Sequence, residues 1–233
     1  MAEIGSRFDP KTVIAVAGPP AAGYFALAAI PARCALERGD CKLAAQLAPR
    51  ETPYPYTEAM TWFAHGLGSA RGGQPAPVYG SAASRAQIRE GLLKFGESYW
   101  ALQVEIQELE VRAWATLADG KKEDALWLME SAAKLEDGTE KNAMTPGPLA
   151  PARELLDEML RSTNQPVLAL AQFEATLKKE PGRFRAPNGA GHTAELSDNS
   201  VAAGTYFREL LRICGHADKL VRPELQEAKN AVL

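Results

Sequence analysis

A spacing of 34 residues runs through this chain. Ala169 and Phe173 in PVLALAQFEATLKKEP return as Ala203 and Phe207 in SVAAGTYFRELLRICG, Leu156 and Leu160 return as Ala190 and Ala194, and Asn164 returns as Asp198. Gly39 and Gly73 are separated by the same interval. Gly120 takes the equivalent place in LADGKKEDALWLMESAAKLED, with Ala125 and Met129 in the Ala and Phe slots. A period of this length holds two helices and their turns, and such a unit cannot bury its apolar side alone, so neighbouring units must stack. The Gly, Asn and Asp positions tolerate the left-handed backbone that ends one helix and admits the next. The expected fold is therefore all-α, an array of stacked antiparallel helix pairs.

Composition agrees with helices. Alanine is abundant while Val, Ile and aromatic residues are sparse, and alanine loses no side-chain entropy on entering a helix. With 233 residues, 46% of them hydrophobic, the chain can bury a core without metal or disulfide support. Its 26 basic and 29 acidic residues nearly balance, and no Lys/Arg block is present to neutralise phosphates, which argues against nucleic acid as a partner. Three cysteines, Cys34, Cys41 and Cys214, are an odd number in a chain too large to need staples, which points to reduced thiols and a cytoplasmic address. Cys214 and His216 lack two further ligands at helical or knuckle spacing, so no metal or other cofactor is expected.

The charge-free window TVIAVAGPPAAGYFALAAIP, residues 12–31, is long enough for a membrane span, but Gly18, Pro19 and Pro20 interrupt it and few charges flank it. A signal peptide is disfavoured because Asp9 and Lys11 fall where its apolar core should lie. The window reads instead as a lead-in, residues 1–20, followed by a helix from about Ala21, with 21–233 as one repeat domain.

The repeated positions resemble the tetratricopeptide repeat. In the unit from Ala150 to Gly182, Leu156, Leu160, Ala169, Phe173 and Pro181 fall on signature places. The next unit keeps Ala190, Gly191, Ala194, Ala203 and Phe207, and the unit from Ile106 keeps Ala113, Gly120, Ala125 and Ala132. AIPARCALERGDCKLAAQLA, PYTEAMTWFAHGLGSARGG, TEKNAMTPGPLAPARELLDEML and FRAPNGAGHTAELSDN look like the C-terminal portion of a group of bacterial tetratricopeptide-repeat proteins. The resemblance spans most of residues 25–220. It implies an all-α fold, a right-handed α-solenoid of about five antiparallel helix pairs, and supplies no catalytic residue. Two stretches depart from the period and read as loop insertions, near 74–83 and 136–149, the second as a structured excursion. Pro187 is expected to start its helix.

In such an array the first helix of each pair lines the concave surface. These helices are expected at about Thr57 to Leu67, Tyr99 to Ala118, Pro151 to Arg161 and Pro187 to Glu195, and the last helix, Arg222 to Val232, together with residues 8–24 would cover the ends. The resemblance implies Lys and Asn at the fifth and ninth repeat positions in carboxylate-clamping members; this chain has Glu110 and Trp114, Glu154 and Glu158, and Asn188 and His192 there. A groove carrying Glu110, Glu154 and Glu158 would prefer a basic segment. Alternatively these glutamates solvate helix faces, as Glu108 and Arg112 would in an exposed i,i+4 pair. Tyr56, Trp62, His65 and Tyr99, with Tyr54 and Trp100, form a second cluster that is either an anchor site or core. His65 lies where a general base could act, but no nucleophile or carboxylate is dictated beside it. The sequence reading is thus a non-catalytic scaffold for a protein or peptide segment. Its alternatives are an all-helical enzyme or small-molecule-binding protein, and a self-associating module such as a homodimer.

Overall fold

The computed structural model describes residues 20–140, 147–216 and 222–232. Among the described residues there are eleven helices and no strand. They are α1 (Pro20–Glu37), α2 (Cys41–Ala45), α3 (Pro55–Arg71), α4 (Pro75–Lys94), α5 (Ser98–Ala118), α6 (Lys122–Asp137), α7 (Ala152–Ser162), α8 (Pro166–Lys179), α9 (Arg185–Leu196), α10 (Ser200–Ile213) and α11 (Pro223–Ala231). No helix among the described residues is long and apolar enough to cross a membrane. The lead-in 1–19, which includes most of the stretch expected to cover the first helix, and residues 141–146 of the second insertion lie outside the described residues.

The turns carry the period. Gly39, Gly73, Gly120, Asn164 and Asp198 all have positive φ, between 56° and 78°. After each, the following amide returns to a carbonyl five residues back: Asp40 to Ala35, Gln74 to Ser69, Lys121 to Thr116, Gln165 to Leu160 and Asn199 to Ala194, at 2.9–3.1 Å. This closes the carbonyls orphaned at a helix end and reverses the chain in two or three residues. Two of these turns lead straight into a helix started by proline, at Pro75 and Pro166, and Pro55 and Pro223 open α3 and α11 in the same way, at a place where a missing N–H costs nothing. Asn199 starts α10 instead with a side-chain cap to the Ala202 amide.

The contacts divide the chain into two compact units, 1–150 and 151–233, where the sequence reading has one continuous domain. In the first, helices consecutive in the chain pack together, and α1, α3 and α5 also touch in turn. In the second, α7 to α11 pack in chain order, with α7 also touching α9. The signature positions Ala113, Ala125, Met129, Ala132, Leu156, Leu160, Ala169, Phe173, Ala190, Ala194, Ala203 and Phe207 are all buried. In the second unit the reason for small residues is explicit. A Cβ on Gly189 would collide with the Phe173 ring, and one on Gly191 would come within 2.5 Å of Phe207. The rings thus seat α8 and α10 on α9 at bare backbone.

Two expectations are corrected. The stretch 74–83 is no loop: α4 begins at Pro75, and Val78 and Ser81 are buried there, with the Ser81 hydroxyl donating to the Val78 carbonyl at 2.8 Å. The prolines sit in a first turn that needs no N–H donors, so they start the helix rather than break it. Helix α9 starts at Arg185, two residues before Pro187, which falls in the first turn for the same reason. On the described side of the second insertion, Leu149 and Ala150 are buried and Arg33 on α1 donates to the Gly147 carbonyl at 2.7 Å.

Candidate functional site

In the first unit, Thr57, Thr61 and His65 recur every four residues along α3 and share one face. Against that face lies the irregular segment 46–52. His65 Nδ1 meets the Leu47 carbonyl at 3.2 Å and pins the segment; the imidazole proton on Nδ1 is the one that makes this bond. Between α1, this segment and α3 opens a cavity of about 450 Å³. Leu27, Ala28, Pro31, Leu47 and Pro49 give it apolar walls, buried Thr57 and Thr61 stand on the α3 side, and exposed Arg50 and Glu51 stand at its edge. The volume falls within the range that takes small ligands or a few side chains of a peptide.

An aromatic pile begins at the cavity wall. Tyr24, which lines the cavity, lies 5.5 Å from Tyr54 between ring centres; Tyr54 lies 6.2 Å from Tyr56; and Tyr56 stacks on Trp100 at 3.9 Å with the ring planes only 5° apart. Tyr99 meets Trp100 edge-on at 5.1 Å, and Phe25 approaches it at 6.3 Å. Tyr56 and Trp100 rest on the buried cluster of Ala59, Leu92, Ala101 and Val104, so their inner faces are held while part of each stays exposed. Burial raises the Tyr56 phenol above its ordinary range, with Tyr54 and Glu97 adding to the effect, so it remains a proton donor at neutral pH.

The sequence cluster therefore divides. Tyr56 and Tyr99 join the pile, whereas Trp62 and His65 meet each other at 5.8 Å, with Trp62 Nε1 donating to Glu58 at 3.2 Å. Glu110 is buried, 1% exposed, and cannot read a surface ligand. Trp114 is half-buried beneath the Arg71 guanidinium, 4.7 Å from its ring centre. Glu108 does not form the exposed pair with Arg112 expected from spacing. Its ion pair runs across to Arg89 on α4 at 3.3 Å, because the adjacent helix offers a cation in a half-buried position.

Behind α3 is a buried polar group that no local pattern announces. Arg85 on α4 is fully buried; its Nη1 donates to the Trp62 carbonyl at 3.0 Å and lies 3.5 Å from Ser81 Oγ, while Nε and Nη2 are buried without a hydrogen-bond partner. Gly66 admits it, since a Cβ there would lie 2.8 Å from Nη1 and 2.7 Å from Ser81 Oγ. Burial lowers Arg85 to about 10, against the pull of Glu108 and Glu110. Burial also pushes Glu110 well above the ordinary carboxylate range, with Glu136 adding to the rise and Arg85 opposing it.

In the second unit the expected residues form a neutralised network. Glu154, 1% exposed, takes a two-pronged bond from Arg183, at 2.9 and 3.1 Å, and an ion pair with Arg185 at 3.1 Å; Arg185 also bonds Glu158. These carboxylates are held by arginines from the α8–α9 connection and the first turn of α9, so they do not form an unpaired acidic wall. Asn188 keeps a buried Oδ1 without a partner. His192 lies between Glu195 at 3.3 Å and Glu227 at 3.5 Å, edge-on to Phe207 at 5.2 Å. Among the described residues no group of three or more His, Cys, Asp or Glu is placed to hold a metal ion.

The sequence reading missed Tyr24, Thr57, Thr61 and the segment 46–52 as one surface. The four-residue stripe on α3 was a visible signal; the distance from α3 to Tyr24 in sequence hid the rest. Comparison of the chain with family models, with curated proteins and with solved structures finds no match, so function has to be read from the residues themselves.

Proposed function

We propose that this protein is a non-catalytic scaffold, built in each unit from tetratricopeptide-like helix pairs stacked in the right-handed sense, about five pairs in all, that receives a peptide segment of a partner protein. The observation that carries this reading is the cavity between α1, segment 46–52 and α3 with the aromatic pile running from its wall. Helix packing fixes the walls before a ligand arrives, which reduces the ordering cost of binding. The ligand surface moves from the acidic faces expected of α5 and α7 to the start of the array, because Glu110 is buried and Glu154 is already neutralised. A basic partner is not required by this geometry.

A displayed library of random peptides panned on the protein tests the proposal. Ala28→Phe, which fills the cavity from the partly exposed α1 side, is the control. Enrichment of a sequence family on the parent and its loss on Ala28→Phe is the expected result. Equal enrichment on both proteins, or none, overturns it.

A further inference from the structure

The geometry points to a ligand class for this surface: an uncharged, proline-rich segment in the polyproline II conformation, lying along the pile from Tyr24 to Trp100. The inference rests on the scaffold reading above and specifies what the scaffold takes.

Its first ground is the shape of the surface. Parallel stacking of Tyr56 on Trp100 joins two rings into one rigid block, and Tyr54 and Tyr24 extend it toward the cavity at ring spacings of 6.2 and 5.5 Å. At these spacings the rings touch one another and form one continuous, half-exposed aromatic face. Such a face receives pyrrolidine rings laid against it, which are flat, apolar and carried on a chain already extended before binding. An α-helical ligand would need a continuous aliphatic groove instead.

Its second ground is hydrogen-bond complementarity. The hydroxyls of Tyr54 and Tyr56 and the indole N–H of Trp100 have no protein acceptor among the described residues. The surface thus offers donors. Polyproline II has no internal hydrogen bonds, so its carbonyls are free, and each proline removes an N–H, leaving a ligand rich in acceptors and poor in donors. Tyr56, held as a phenol, remains a donor through the physiological range. A strand-forming ligand presents as many N–H groups as carbonyls and would leave half of them unmatched on this face.

The third ground is charge. The ring block carries no ionised group of its own; Glu97 beside Tyr56 is exposed, and the paired signs of Arg50 and Glu51 stand at the cavity edge. Nothing here would select a charged segment, and an uncharged one loses no ion hydration on docking.

The test titrates the full chain with a capped synthetic peptide of Pro-Pro-Ala repeats and follows tryptophan emission, with Trp100→Phe identifying the responding residue. An alanine-rich helical peptide and a valine- and threonine-rich peptide of equal length are run in parallel. Tyr54→Phe and Tyr56→Phe keep the rings and remove only the donors. The expected result is saturable binding of the proline peptide alone, weakened about fivefold by each Phe substitution. Binding of the valine- and threonine-rich or the helical peptide in preference to the proline peptide overturns this inference while leaving the scaffold standing. Failure of all three peptides together with failure of the library selection overturns both.

Discussion

The two units solve the burial of a charged side chain in opposite ways. In the second, Glu154 is 1% exposed yet meets the forked guanidinium of Arg183 and a second arginine, and both arginines keep some access to water, with side chains 11% and 18% exposed. In the first, Arg85 is fully buried, spends Nη1 on a carbonyl and a hydroxyl, and leaves two nitrogens without partners near carboxylates that have themselves lost hydration. The difference follows from where each charge enters. Arg183 arrives from a connection at the surface and reaches inward. Arg85 comes from the middle of α4 and must pass Gly66 on the packed face of α3. A paired ion at the end of a helix can rearrange when its partner is removed; one enclosed between three helices cannot.

The largest expected effect sharpens this contrast. Arg85→Ala removes the cation that opposes the rise in Glu110 and leaves a void beside Gly66, and should cost about 3–5 kcal/mol in urea unfolding. Glu154→Ala should cost about 2 kcal/mol, because Arg183 and Arg185 can turn to solvent. Equal losses would mean that the two buried charges are not differently held.

Next in size is the glycine contact that has no counterpart in a purely polar account. Gly189→Ala drives a methyl into the Phe173 ring between two helices that cannot separate without opening the buried face of α9, and should destabilise by about 2 kcal/mol. Adding Phe173→Leu should restore part of the loss, the two changes being coupled through one contact. A harmless Gly189→Ala would show that the ring seats elsewhere.

These contacts also explain how much could be read in advance. The period, the left-handed turns at Gly39, Gly73, Gly120, Asn164 and Asp198, and the buried slots at Ala169, Phe173, Ala203 and Phe207 were legible because each depends on local backbone freedom or on one side-chain size recurring at a fixed interval. The neutralisation of Glu154 was not, because Arg183 is 29 residues away and arginine on a connection carries no pattern. Glu110 looked like a groove residue for a related reason. Spacing identifies a helix face, but whether that face meets solvent or a neighbour is decided by the helices on either side, here α4 and α6. The aromatic pile was half visible: YPYT and SYW announced rings, and only packing against α1 joined Tyr24 to them.

The smallest effect concerns proton uptake. Burial raises Glu110 in the folded chain, so the folded state binds a proton more tightly than the unfolded state, whose carboxyl titrates near 4.3. The favourable contribution of protonated Glu110 is complete below that pH and is lost as pH rises toward the folded-state value, because the folded protein must then either keep the proton at increasing cost or bury a second negative charge near Glu136. Glu110→Gln is neutral throughout and escapes this loss. Thermal unfolding of the two proteins between pH 4 and pH 8 should therefore give midpoints that diverge in favour of the variant as pH rises. Arg85→Ala should widen that divergence when combined with the same comparison, since the opposing cation is gone. A variant that is less stable than the parent at pH 8, and no less so at pH 4, would instead mean that Glu110 is ionised and held by Arg85, and that the first unit carries a neutralised pair much like the one around Glu154.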